Sequence, residues 1–450
     1  MNPPYLVDSS KSSLLEKSKV LKVFLKTFHH FFGPFQDFFA GIEDPRLART
    51  NNYPLASLLF TGIFLFLCRL GAVRQVKFRL HTESALHTFK NLFGVPSIPH
   101  GDTLNTTFSL LDSDQVGSLV QGMIRTLILK RVLESGRFLK RYYAFAIDGT
   151  GVYVFRERHC EYCLTKTHNG KTVYYHMVLE AKLVTTDGFS FSVMSEFIEN
   201  PCEHPTKQDC ELKAFHRLAV RLKQAFPRLP ILLLLDGLFA EGPVFQCCKN
   251  FQWEFFITLR DGDLPTVNQE FRNLQSLQQA NTKTTHHDRI IQHFTWINDI
   301  SYRDTRKRDF SLNVLECREK TGEKETTYRW LSSFKVEQEN VASLGKAARC
   351  RWKIENQGFN TQKNQGFALE HPYSRDPIGM KVYYYLLQLA HTWIQLCERG
   401  RFLMTLVPEG FGSLKNISMR LLEDWRNAHI CMTAWDALRK LRVQIRLDTS

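Results

Sequence analysis

Five consecutive apolar residues, Ile231–Leu235, run straight into an acid, Asp236, followed by Gly237. A short, unbroken apolar run with a turn at its end suits a strand covered on both faces. Such a strand belongs in a sheet with helices packed on it. A charge at the exit of so apolar a run is costly unless something compensates its partial burial. The run therefore predicts an α/β layer with a carboxylate at the mouth of a crevice, since α/β folds bind ligands at the carboxyl ends of their strands.

The flanking sequence extends this reading. From about Leu14 to Arg141 apolar residues recur at three and four spacing (Leu119, Met123, Leu127), with Pro/Gly punctuation between Phe93 and Gly101, so residues 1–140 are expected to be all-helical. From Tyr142 the period changes. YYAFAID, VYYHMVLEAKLVTT and FSFSVMSEFI read as three strands, the last two a hairpin turning at Asp187-Gly188. A helix over Gln208–Phe226, the Ile231–Leu235 strand, a further helix and the strand WEFFITLR complete the first part of a core, residues 141–260. Polar strand-like pieces (HFTWINDISY, FSLNVLECRE, TTYRWLSSF) predict a β-rich insertion over 261–340. Residues 341–450 are expected to hold the second part of the core and C-terminal helices, with one helix from Val341 to about Gln357 and another over Lys381–Arg399.

Composition narrows the function classes. Apolar residues are 43% of the chain and aromatics 12%, far from the composition of a disordered chain. Lys and Arg outnumber Asp and Glu by 59 to 45, a net charge of +14 that favours polyanionic partners, with a merely solvating basic surface as the alternative. The 11 cysteines are odd in number and scattered, which fits a reducing cytoplasm better than a disulfide scaffold. The first twenty residues lack the pattern of a secretory signal. The most apolar run, Leu55–Cys68, falls short of the ~20 residues that span a bilayer and reads as a buried helix.

Three acids stand out: Asp148 at the expected end of the first strand before Gly149-Thr150-Gly151, Asp236, and Glu355 on the late helix. Carboxylates at two strand ends and one helix form a triangle that can hold a pair of hard cations. Two such ions about 3.5–4 Å apart activate an attacking oxygen and stabilise a leaving one in phosphodiester chemistry. Arg351 lies one helical turn before Glu355, with Trp352 and Lys353 between them and Lys363 beyond. A turn or cap is the ordinary role of any single Asp, and a plain Arg351–Glu355 salt bridge is the alternative for the third position.

IDGTG around Asp148, LLLLDG around Asp236 and RCRWKIENQGFNTQK around Glu355 closely resemble the three motifs of DDE-type insertion-sequence transposases of bacteria, in the subgroup with a β-strand insertion before the last acid. Separations of 88 and 119 residues between successive acids agree with a long insertion there. The resemblance covers roughly residues 140–400, and more weakly the N-terminal helices. It implies a ribonuclease-H-like catalytic core of mixed sheet flanked by helices, an inserted β-rich subdomain, and a helical N-terminal domain that binds DNA ends. It further implies Asp148, Asp236 and Glu355 as catalytic ligands of two Mg²⁺ or Mn²⁺ ions. Arg351, Lys353 and Lys363 would contact DNA, and so would Trp330 from the insertion, with a core position as the alternative for a Trp inside a strand. The implied activity is strand cleavage at terminal inverted repeats and transfer into target DNA, by a homodimer in the bacterial cytoplasm at the nucleoid. Two departures are plain: Ala348 stands where the family has Tyr, and Lys363 lies eight residues after Glu355, where seven is usual and Gln362 stands. A nuclease of the same fold, or an inactive transposase-derived DNA-binding protein, is the alternative.

His159-Cys160-x-x-Cys163, with His168 and His176 and then Cys202, His204 and Cys210, has the ligand types of a structural zinc site, with ordinary buried thiols or a redox pair as the alternatives. The basic clusters Arg303–Arg308 and Arg439–Arg446 read first as solvated faces; for the first, in the insertion, the resemblance offers a DNA contact as the alternative.

Overall fold

The structure, a computed structural model, describes residues 19–47, 52–202, 205–277, 281–400, 402–403, 410–428, 430, 432–441 and 445. His204 and residues 442–444 and 446 of the last basic cluster lie outside them. The chain folds as two compact units, one of residues 1–133, 152–175 and 360–450, the other of 134–151 and 176–359.

The second unit is built on most of a ten-stranded mixed sheet. The strands are β1 (Tyr143–Phe155), β2 (Leu164–His168), β3 (Lys171–Val184), β4 (Ser190–Ile198), β5 (Ile231–Leu235), β6 (Glu254–Thr258), β7 (Thr282–His287), β8 (Ile290–Arg303), β9 (Asp309–Thr321) and β10 (Lys324–Ser332). β3 and β4 pair antiparallel around Gly188, whose φ of 95° only glycine adopts without strain. β5 lies between β1 and β6 and is parallel to both. All five of its residues are buried, which is why its sequence shows no alternation.

The segment expected as an inserted subdomain continues the same sheet. β10 pairs antiparallel with β6 through Trp330↔Thr258, Leu331↔Ile257 and Ser332↔Phe256, and β9, β8 and β7 follow in order. Its inner face joins the core of the unit, where Trp296, Leu315 and Trp330 pack with Leu232, Leu234, Phe256 and Ile354. The helix expected over Val341–Gln357 is also different. A regular helix spans Val341–Arg349, and a π-helical turn covers Ile354–Asn360.

The first unit is mainly helical. Its helix Leu55–Leu67 is buried along its length, which accounts for the most apolar run in the chain. Glu83–Phe93 begins at Thr82, whose hydroxyl accepts from the Ala85 amide at 3.3 Å, and stops at Gly94 in the left-handed region. The C-terminal helices Pro377–Glu398 and Leu414–Asn427 belong with these N-terminal helices. The Trp393 indole donates to the Phe24 carbonyl at 3.0 Å, and the Asp424 carboxylate accepts from the Val20 and Leu21 amides at 2.9 and 3.1 Å. The segment expected to hold the second part of the core and the C-terminal helices divides between the units: residues up to 359 stay with the sheet, and residues from 360 belong to the helical unit. No described helix is long and apolar enough to cross a membrane.

Candidate active site

The parallel ladder between β1 and β5 positions two of the three acids. Its rungs run from Tyr143↔Ile231 to Ala146↔Leu234, a constant offset of 88 residues. Two steps further along each strand, the same offset sets Asp148 across from Asp236. Neighbouring strands lie about 4.8 Å apart, so the two carboxylates emerge side by side. Asp236 is the first residue past β5. Asp148, contrary to the sequence-based expectation, does not end its strand. β1 runs on through Gly149 and Gly151 to Phe155, because Val152 and Tyr153 are again buried side chains that continue the strand. The acid is open because β5 has ended beside it.

Glu355 comes from the π-helical turn. Arg351, 10% exposed, joins it to the strand pair: one Nη1 lies 2.9 Å from Glu355 Oε1 and 3.3 Å from Asp148 Oδ2. The plain Arg351–Glu355 salt bridge is therefore present, but as part of a bridge between two acids of the triangle. Asp148 also accepts from the Gly149 amide at 2.9 Å. Asp236 caps a short turn by accepting from the Leu238 amide at 3.1 Å, and its other oxygen lies 3.5 Å from Arg260.

The electrostatics agree with three converging acids. Burial pushes the Asp148 carboxyl up to about 7; Arg351 opposes the rise, and the charges of Asp236 and Glu355 add to it. A fourth carboxylate, Glu211, opens the helix Glu211–Ala225 and lies against Gly149, where a Cβ would run into it. Its carboxyl is raised by burial and by Asp236. Sequence reasoning missed Glu211, since an acid in a first helical turn has the ordinary role of favouring the helix dipole.

The residues expected on DNA are dispersed. Arg351 is in the site. Lys353 points away from it and donates to the carbonyls of Thr185 and, at 2.7 Å, Thr186. Lys363 lies in the helical unit and pairs with Glu370 at 2.8 Å. Trp330, 4% exposed, stacks on Tyr328 inside the sheet core and has no face to offer a base. The exposed aromatic beside the acids is Trp352, 48% exposed, with the Arg351 guanidinium 5.1 Å from its ring centre. In the basic cluster 303–308, Arg303 pairs with Asp309 and Arg308 with the buried Asp304, so its charge is partly neutralised.

No curated protein matches this chain. Residues 36–122, in the helical unit, match the family model described as DDE_Tnp_1-associated. That match covers about a fifth of the chain and links it to the DDE transposases.

Proposed function

We propose that the chain is a DDE-type transposase that cleaves DNA at transposon ends and transfers the freed ends into target DNA, using a ribonuclease-H-like core. The observation that carries this reading is the Arg351 guanidinium held between Asp148 and Glu355, with Asp236 at the end of the strand paired with β1 and burial driving Asp148 up to about 7. An arginine clamped between two carboxylates marks a place that draws positive charge. The donor set is all oxygen, which suits Mg²⁺ or Mn²⁺. Asp148, Asp236 and Glu355 would hold two such ions, which when bound supply Lewis-acid activation of the attacking oxygen and stabilise the leaving one.

The chain's own residues do the rest. Asp236 stays oriented by the Leu238 amide and Asp148 by the Gly149 amide, so both carboxylates are preorganised. Arg351 offers its guanidinium to a DNA phosphate once the acids are otherwise neutralised. Trp352 offers a face to an unpaired base, worth about 1–3 kcal/mol. The net charge of +14 favours a polyanionic partner. Terminal inverted repeats would be bound by the helices of the matched segment, and the DNA complex would be a homodimer in the bacterial cytoplasm.

The test is incubation with Mg²⁺ and linear DNA ending in the element's terminal repeats. Wild type nicks at the repeat boundary and joins the ends to target DNA; Asp148→Ala and Glu355→Ala lose both steps, by on the order of 10²–10³-fold or more. Nicking that survives either substitution overturns the triad. Cleavage of arbitrary DNA without joining indicates a nuclease, and tight binding with no cleavage by wild type indicates a DNA-binding protein.

A further inference from the structure

The hairpin β2–β3 gathers four side chains that the strand chemistry does not use. Its rungs run from His168↔Lys171 to Leu164↔Tyr175. One step further sets Cys163 across from His176, and residues facing each other in an antiparallel pair have Cβ atoms about 4.5–5.5 Å apart. Cys160 and His159 precede Cys163 in a tight knuckle at the same end. The Cys160 and Cys163 sulfurs are 3.4 Å apart, and Cys163 Sγ is 3.4 Å from His159 Nδ1. One ligand atom from each of the four residues lies within 4.8 Å of all the others.

Those distances discriminate. Ligands placed tetrahedrally around a zinc ion, with Zn–S about 2.3 Å and Zn–N about 2.0–2.1 Å, are separated from one another by about 3.3–3.8 Å. The two sulfurs, 3.4 Å apart, stand a few tenths of an ångström inside the roughly 3.8 Å of two zinc-bound thiolates and far outside the roughly 2.05 Å of a disulfide. Ordinary buried thiols account for two cysteines but not for two imidazoles turned onto them. Cys163 is fully buried and His176 is 4% exposed, while His159 and Cys160 are half-buried, so the set is covered on the strand side and reaches the surface on the knuckle side. Two sulfurs and two nitrogens in a closed set are the donors of a structural site and do not suit Mg²⁺.

We propose that His159, Cys160, Cys163 and His176 bind one Zn²⁺ ion, which staples the base of the β2–β3 hairpin. The ion is distinct from those of the carboxylate site and has no part in strand chemistry. Thiolate ligation makes the proposal testable on the intact protein, because carboxylates give no thiolate signature.

The experiment measures the metal content of the purified full chain and the absorption of its Co²⁺-exchanged form. One zinc per chain is expected, together with thiolate-to-cobalt charge-transfer absorption and the intense visible bands of tetrahedral cobalt. Asp148→Ala retains both; Cys160→Ser and Cys163→Ser lose the charge-transfer band and the zinc. Should the cysteine variants fail to fold, titrating wild type with an organomercurial decides instead, since zinc must then leave in step with thiol modification. Absence of zinc and of the cobalt–thiolate band in wild type overturns the proposal. So does a Cys160–Cys163 disulfide in protein purified without reductant, or zinc that stays bound after both thiols are modified.

Discussion

Asp148 shows how much a single position depends on its surroundings. Burial pushes its carboxyl up to about 7 in the fold; Arg351 opposes the rise, and Asp236 and Glu355 add to it. In the unfolded chain it titrates near pH 4. Between those values the folded chain without divalent cations holds a proton that the unfolded chain has lost, so this group makes stability fall as pH rises from about 4 to about 7. Asp148→Asn stays neutral throughout and escapes that loss. Urea unfolding without divalent cations should show the variant gaining on wild type between pH 5 and pH 8, by on the order of 2 kcal/mol. A difference that does not change with pH would mean that Asp148 is already ionised in the fold at pH 5. The motif around Asp148 is legible in sequence, and its charge state is not. Trp330 and Trp352 make the same point. Neither residue's neighbours in sequence reveal that the first is core and the second exposed.

At the scale of elements, the turn that carries Glu355 is supported from beneath by a charge pair. Lys182 and Glu180, both with fully buried side chains, lie 3.8 Å apart on β3. Glu180 also accepts from the hydroxyls of Ser192 and Ser195 on β4. The Lys182 ammonium lies 5.6 Å from the centre of the Phe359 ring, and its stem packs on Gly358, where a Cβ would meet Lys182 Cδ at 3.0 Å. Removing Lys182 leaves the Glu180 charge buried without this countercharge. Lys182→Ala is therefore expected to cost about 3–5 kcal/mol in urea unfolding, and the Glu180→Gln/Lys182→Met double variant to recover much of it. An effect below about 1 kcal/mol for the single variant would show that the pair is not buried as a charge pair. The regular helix expected across this stretch gives way after Arg349 because the spacing of Ile354, Gly358 and Phe359, all buried, suits a wider turn on the sheet.

At the scale of the whole molecule, the helical unit assembles from distant parts of the sequence through close contacts. In the helix Leu55–Leu67, a Cβ on Gly62 would meet Leu386 Cδ1 at 2.6 Å and the Phe108 ring at 3.1 Å, so glycine lets that helix approach Pro377–Glu398. Gly62→Leu should lower stability by about 1–3 kcal/mol or more through overpacking, read as a lower melting temperature. Gly122→Ala, in the helix Ser113–Leu129 where a Cβ meets nothing within 4 Å, should be neutral or raise it, since alanine is the better helix former. Equal effects at the two positions would show that the crossing is loose.

Local periodicity by itself determined most of the strand segments, the hairpin at Asp187-Gly188 and the buried Leu55–Leu67 helix, and the motifs around the three acids carry their spacing. These features depend on neighbours a few residues away, and the chain carries them openly. The Asn169-Gly170 turn, both residues at positive φ, was equally open to reading and marks β2. Only the tertiary structure decided what the 88-residue spacing means: it is the register of a parallel ladder, and register is set by side chains packing across the sheet. For the same reason the insertion became part of one sheet, the C-terminal helices went to the helical unit, and Arg351 came to lie between Asp148 and Glu355. Each of these outcomes rests on contacts between residues far apart in the chain, which no local pattern encodes.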